Sequence, residues 1–458
     1  FNHENYANKS KKKIELEIEE VTSKGDGWAS LDGIEFVVRG AVPGDRVQAT
    51  IRRKKGGVRE AIVDSILNSQ MVRIAPRCSH FGICGGCRWQ DLQYEDQLGL
   101  KERMVNNALR ECGLRGYEQR PIIASRESFY YRNKMEFSFG QDIEGDLQLG
   151  LHLRGRYNHV FDVLDCQLQS HCSNRIVKSV RNHATELGLS VYNLKSHNGL
   201  LRFLVIREGK ATDEIMVNLV VSDYPNSDVD EVVRRVVGEI REITTFLVTL
   251  HTGKAQTAVG EREFVVKGTG SISEKCGGVH YGISSNSFFQ TNTYQASILY
   301  RLISDMTSNL TLQTVLDLYC GTGGISLHLA KNAGQVVGVE QIVEAVDDAR
   351  RNACRNDVSN CTFIAEQAET AVDIMIDRGM QFDLVVADPP RAGMHKSVLQ
   401  ALGKANAPVI LYVSCNPQSL GADVKKLCET GYKLNFIQPV DLFPQTPHCE
   451  AVAQLSRI

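Results

Sequence analysis

No stretch of this 458-residue sequence comes near the ~20 consecutive apolar residues that a membrane-spanning helix needs. No basic segment followed by an apolar one opens it, so a secretory route is not expected and a cytoplasmic setting is. The sequence as given starts at Phe1, and a preceding stretch is expected. Neither sign of charge is in excess: 52 Lys and Arg against 54 Asp and Glu leave a formal net charge of -2, so no global field attracts nucleic acid. Internal repeats and low-complexity tracts are absent. The 13 cysteines are odd in number and unevenly spread through a long chain, which does not suit the disulfide framework of a short secreted domain. Reduced thiols are the default, and a local cluster of them points to metal or to catalysis. What remains is ordinary globular composition, 42% apolar and 23% charged, with length for two to four domains.

The pattern changes three times along the chain. Residues 1–9 are polar and expected to be disordered. Residues 10–67 read as short strands. IELEIEEV alternates, an Asp-Gly turn splits GWASLDGIEFVV, and a Gly-Gly turn splits VQATIRRKKGGVREAIVDSIL. A small five-strand barrel is expected. Its basic hairpin carries Arg52, Arg53, Lys54 and Lys55, for which a solvated hairpin and a nucleic-acid footprint are both open. Residues 68–290 read as an α+β unit. A dense cysteine stretch, CSHFGICGGC at 78–87, precedes helical spacing over 91–112. After that come mostly alternating strands, with one helix near 171–187. From 291 to 458 strands and helices alternate, which predicts a doubly wound parallel sheet of Rossmann-like α/β class. Helix 95–112 is a candidate to pack on this last unit.

The first strand of the last unit ends in DLYCGTGG, residues 317–324. Glycines there let a ligand approach the backbone, in the crevice where α/β sheets bind ligands. The spacing is D-x-x-x-G-x-G, not the dinucleotide G-x-G-x-x-G, and the next strand ends in Glu340, placed to accept hydrogen bonds from ribose hydroxyls. S-adenosylmethionine fits this pattern better than a nicotinamide cofactor. The fourth strand ends in Asp388-Pro389-Pro390-Arg391. Amino-group methyltransferases place an aromatic residue after Asp-Pro-Pro, and Arg391 argues against an exocyclic amine as target. LYVSCNP puts Cys415 at the next strand end. Beside a methyl donor, a thiolate can add to carbon 6 of uracil and make carbon 5 nucleophilic. A base must then remove the carbon 5 proton, and Glu450, opening an apolar final strand, is the candidate.

Together these residues resemble the RNA 5-methyluridine methyltransferases, and in particular their RumA-like 23S ribosomal RNA branch. The resemblance covers nearly the whole chain. It implies a TRAM-like RNA-binding barrel over residues 10–67 and a central domain at 68–290. A methyltransferase domain follows at 291–458. It implies a [4Fe-4S] cluster on Cys78, Cys84, Cys87 and Cys166, with zinc as the alternative metal. It implies Cys415 as nucleophile, Glu450 as base and Asp388 as the acid of the Asp-Pro-Pro strand. Cofactor contacts are implied for Gln290, Tyr319, Gly321, Gly324, Glu340, Gln367 and Asp388. Gly324 stands where the family often has Asn or another polar residue. RNA contacts are implied for Arg132 and Lys134, read as one face of a strand, and for the basic hairpin. The expected activity is S-adenosylmethionine-dependent methylation of uridine carbon 5 in ribosomal RNA, by a cytoplasmic monomer. The competing readings are a non-catalytic RNA-binding assembly factor and an RNA cytosine-5 methyltransferase.

Overall fold

A computed structural model of the chain describes residues 12–458; the expected disorder of residues 1–9 lies outside them. Six strands, Lys13–Glu17, Glu20–Val21, Gly27–Leu31, Ile34–Arg39, Asp45–Lys55 and Val58–Ser69, form the first sheet. The first two are one extended run. Its start pairs with Asp45–Lys55 and its end with Gly27–Leu31, which closes the sheet on itself as a five-stranded barrel. Alternation places Leu16, Ala29, Phe36, Val38, Val47 and Ala49 inside. The hairpin 45–69 projects from the barrel through Gly56 and Gly57, whose φ angles of 58° and 89° a type I′ turn requires.

The second sheet has seven strands in the order Arg156–Asp162, Leu147–Leu153, Lys134–Gln141, Leu201–Glu208, Ile215–Val221, Ile243–Leu250 and Arg262–Lys267. Every neighbouring pair is antiparallel except 215–221 with 243–250, which is parallel. That pair needs a crossover, and helix Ser227–Glu239 supplies it beside helix His171–Glu186. Only the latter helix is expected from the sequence; SDVDEVVRRVVGE is rich in Val, a strand former. Two features override that propensity. The Asn226 side chain caps the helix by accepting from the amides of Asp228 and Val229, and Val229, Val232, Val233 and Val236 fall on one buried face.

The third sheet has eight strands, ordered Cys361–Ala365, Ala333–Glu340, Leu312–Leu318, Leu384–Ala387, Val409–Ser414, Glu450–Arg457, Tyr432–Val440 and Glu118–Gln119. The first five are parallel, and 450–457 runs antiparallel to both neighbours. This is the α/β class expected from the sequence.

The two-residue strand 118–119 and helix Tyr94–Glu111 come from the segment assigned to the middle unit, yet both join the C-terminal one. Val105 and Leu109 share a core with Leu420 and Val424 of helix Pro417–Glu429. Lys101 of helix 94–111 and Asp441, both fully buried, form an ion pair of 2.5 Å. Among the described residues no helix is long and apolar enough to cross a membrane.

Candidate active site

The carboxyl ends of strands 312–318 and 384–387 face a cavity of about 380 Å³ that is open to solvent; Cys415 and Glu450 are not among the residues that line it. Gln290, Tyr319, Gly321, Gly324 and Asp388 all line it, together with Asp317 and the exposed ring of Phe288. The turn after the first strand is left-handed at Tyr319 (φ 63°), Gly321 (54°) and Gly323 (85°). Such a conformation costs a non-glycine residue about 1–3 kcal/mol, and at Tyr319 it turns the ring into the cavity wall. A Cβ on Gly324 would lie 2.6 Å from the Tyr300 hydroxyl. The polar residue expected there has no room in this chain, because Tyr300 fills the space.

Glu340 is half-buried at its strand end. One of its oxygens accepts from the Gly321 amide at 3.3 Å and the other from the Ile342 amide at 3.0 Å, so it braces the glycine turn. Gln367 is exposed just before helix Ala368–Asp377 and does not line the cavity.

The antiparallel register sets Ser414 opposite Ala451, so Cys415 and Glu450 meet as neighbours across the two strand ends. Two loops are tied together there. The Asn416 amide donates to the carbonyl of Arg391 at 2.8 Å, and its Oδ1 accepts from Gln418 N to cap helix 417–429. Asp423 on that helix accepts from the Met394 amide and the Tyr412 hydroxyl, each at 2.7 Å.

Electrostatically the site is a stack of poorly solvated acids. Burial pushes the fully buried Asp317 carboxyl up to about 7; Ser326 hydrogen-bonds one oxygen, and Oδ1 has no partner. Half-buried Asp388 is raised to about 7 by desolvation and then by Asp317. Glu450, only 2% exposed, is raised well above the usual carboxylate range by burial and then by Asp388. The Cys415 thiol is pushed up to about 11 by burial and then by Glu450, with Arg391 opposing. The Arg391 guanidinium lies 3.2 Å from His448 Nδ1. Sequence reasoning leaves Asp317 and Phe288, among others, out of the cavity lining; for Asp317 the available signal is its place at the head of the glycine turn.

The four cluster cysteines are all free thiols. Cys84 sits on a bridge to Leu153, and the Cys78 sulfur lies 4.0 Å from the carbonyl of Asp165, next to Cys166. The Cys87 thiol is raised to about 12 and that of Cys166 to about 11, first by burial and further by the other cluster thiols. Four soft donors therefore share one neighbourhood. Among the described residues no group of three or more His, Cys, Asp or Glu is gathered tightly enough to hold a single metal ion.

Arg52, Lys54 and Lys55 are exposed on the barrel hairpin, whereas Arg53 is engaged by Glu60 at 2.6 and 2.9 Å. Lys134 opens strand 134–141, but Arg132 does not share it. It lies in the preceding loop, its amide donating to the carbonyl of Leu168, because Asn133 is diverted to the Gln290 carbonyl and the Thr293 hydroxyl.

The family model described as tRNA (uracil-5-)-methyltransferase matches residues 93–458. An uncharacterized RNA methyltransferase of Chlorobaculum tepidum is 37% identical over 466 aligned residues, covering 97% of this chain and 96% of its own. Another, of Bacteroides thetaiotaomicron, is 34% identical over 453 residues, covering 95% and 99%. Among solved structures, the Pyrococcus abyssi tRNA (uracil-54, C5)-methyltransferase in complex with S-adenosyl-L-homocysteine matches with a TM-score of 0.74 and 29% identity. The match covers 96% of this chain and 100% of that one.

Proposed function

Because this chain belongs to the tRNA (uracil-5-)-methyltransferase family, we propose that it methylates carbon 5 of a uridine in RNA through a covalent adduct on Cys415. The observation that carries this reading is the strand register, which sets the Cys415 thiol beside the buried Glu450 carboxyl, both close enough to Asp388 of the cavity wall to feel its charge.

S-adenosylmethionine supplies an electrophilic methyl group. Gln290, Tyr319, Gly321, Gly324 and Asp388 are placed to hold it, with Glu340 fixing the turn and Gln367 the candidate contact on the adenine side, outside the cavity lining. Cys415 loses its proton to solvent and adds to carbon 6 as the thiolate, and the electrons of the 5,6 double bond pass into the uracil carbonyl. Carbon 5 then forms its bond to the methyl carbon as the methyl–sulfur bond of the donor breaks, the donor leaving as a neutral thioether with that electron pair, and carbon 5 becomes tetrahedral. Glu450 takes the proton from carbon 5, the double bond re-forms, and the thiolate leaves. A carboxylate raised by burial is a stronger base than one in water, which suits this step. Arg391, the cation that lowers the Cys415 pKa, favours the thiolate.

The family description and the Asp388 and Glu450 pair support uracil over cytosine, and an intact acid–thiol set argues against a purely non-catalytic assembly factor. Ribosomal RNA is the substrate class implied by the resemblance. Transfer RNA is the second reading. The Pyrococcus tRNA enzyme matches 96% of this chain, so the barrel does not separate the two classes. We assign the barrel a TRAM-like role in gripping RNA and place the protein in the cytoplasm as a monomer. Four converging thiols suit a soft metal group. Cys78, Cys84, Cys87 and Cys166 would hold a [4Fe-4S] unit that staples the RNA-facing loops. Zinc is the alternative occupant of the same four thiols.

The test is nucleoside mass mapping of ribosomal and transfer RNA from a strain lacking the protein. One 5-methyluridine should disappear and return when purified enzyme and methyl donor are added. A full complement of 5-methyluridine in that strain would refute the proposal.

A further inference from the structure

The catalytic cavity is not the only concavity in the described residues. A second, of about 1230 Å³ and open to solvent, lies on the middle sheet and shares no residue with the first. Its rim is built by two interruptions of strand pairing. Between strands 147–153 and 156–162, Arg156 pairs with Leu153 and Val160 with His152. Tyr157, Asn158 and His159 are therefore extra residues, looped out. Between strands 201–208 and 215–221, Leu201 pairs with Val221 and Phe203 with Val220, so Arg202 is an extra residue. Bulges re-aim side chains. Here the two of them bring Tyr157, Asn158 and Arg202 to one hollow from opposite sides.

The lining has a definite chemistry. Tyr157 is 78% exposed and has no structural role to explain its ring. Arg202 is buried; its guanidinium lies 4.0 Å above the Tyr192 ring and donates to the carbonyls of His251, Gly253 and Ala255, while its Nε has no partner. Asn158 and Asn193 offer amides, and Lys195 an exposed ammonium. Faces for stacking, amides for base edges and a cation for phosphate describe a receptor for an unpaired nucleotide.

Location agrees. Alternation puts Lys134, Glu136 and Ser138 on one face of strand 134–141, and the latter two line the hollow. At the other end of the same face, Arg207, paired with Lys134, donates to the carbonyls of Ser285 and Ser287, just before the cavity residues Phe288 and Gln290. Four residues of strand separate Lys134 from Ser138, roughly 13 Å at ~3.3 Å per residue.

We propose that this hollow holds an unpaired nucleotide of the substrate RNA, a few positions from the methylated uridine, with its base against Tyr157 and its phosphate near Lys195. The proposal rests on the uridine-methylating reading above. The experiment uses full-length enzyme with RNA from the deletion strain. Methylation kinetics are measured for wild type, Tyr157→Ala and Lys195→Ala, and photo-crosslinked peptides are mapped by mass spectrometry. Base–aromatic stacking is worth about 1–3 kcal/mol per base, so Tyr157→Ala should raise the KM for RNA by roughly 5- to 150-fold. It should leave kcat and the KM for the methyl donor unchanged, with wild-type crosslinks in peptides spanning 152–160 and 191–195. If wild type methylates uridine while both variants keep a normal RNA KM and those peptides stay uncrosslinked, the nucleotide site is refuted and the activity stands. If wild type methylates no uridine, the underlying reading has failed.

Discussion

Replacing Asp317 by Asn should reverse the sign of its effect on stability between acid and alkaline pH. A free aspartate titrates near ~3.9, and here burial raises the carboxyl to about 7. The folded state therefore holds that proton more tightly than the unfolded chain does. Stability from this group is fully present below pH ~4 and is lost as pH rises through the folded value near 7. Three units at 1.36 kcal/mol each come to about 4 kcal/mol lost by pH 8. Asn removes that loss. It also sets an amide where Oδ1 has no hydrogen-bond partner, which costs about 1–3 kcal/mol at every pH. The variant should be less stable than wild type by about 0–2 kcal/mol at pH 4.5, where about 1 kcal/mol of the wild type's advantage is already gone, and more stable by about 1–3 kcal/mol at pH 8. The assay is a series of paired thermal melts without methyl donor from about pH 4.5 to 8.5, reading the difference in Tm. A difference independent of pH would show that Asp317 ionises in the folded protein as it does in water, and the argument would fall.

Glu450→Gln should spare adduct formation and methyl transfer but slow release by about 10²–10⁴-fold, leaving a labelled protein–RNA band on a denaturing gel; turnover at the wild-type rate would remove Glu450 from the role of base. With the Cys415 thiol at about 11, its alkylation by iodoacetamide, followed peptide by peptide, should keep rising with pH beyond 9, because only the thiolate reacts. A plateau at lower pH would contradict that assignment. Lys101→Met should destabilise the fold by about 3–5 kcal/mol by stranding Asp441, and adding Asp441→Asn should recover part of the loss. A single variant that melts with wild type would show that the pair contributes nothing. Protein purified without oxygen should be brown and carry about four irons per chain, and stoichiometric zinc without iron would overturn the cluster assignment.

The glycine turn, Asp-Pro-Pro and Ser-Cys-Asn-Pro could be placed at strand ends from the sequence because each interrupts an apolar run with residues that a strand excludes. Helix 227–239 could not, since its Val content speaks for strand and only the Asn226 cap and the spacing of the buried face decide otherwise. Reading Arg132 and Lys134 as one strand face failed for a related reason. Period-two alternation says nothing about where pairing begins, and here it begins at Lys134. The ion pair of Arg53 with Glu60 spans the hairpin and is invisible to a count of positive charges. The raised carboxyls of Asp317, Asp388 and Glu450 depend on burial and on distances between strand ends, which no local pattern encodes.

Helix 94–111 belongs to a sheet whose strands come mostly after residue 311. It packs against helix 417–429, and 305 residues separate the end of one from the start of the other. At the ~5–20 residues per second of protein synthesis, its apolar face waits about 15–60 s for its partner. Val105 and Leu109, whose core includes Leu420 and Val424, are sticky surface for that interval, whereas Leu100 and Met104 pack with Val21, Val42, Trp89 and Leu92, which precede them in the chain. The barrel and middle sheet can fold meanwhile, and the Leu100 and Met104 side of the helix can be covered, but its Val105 and Leu109 side cannot. It is the segment of the nascent chain on which a chaperone has the longest hold, and cleavage there during synthesis would leave a chain with every catalytic residue and no support beneath Asp441.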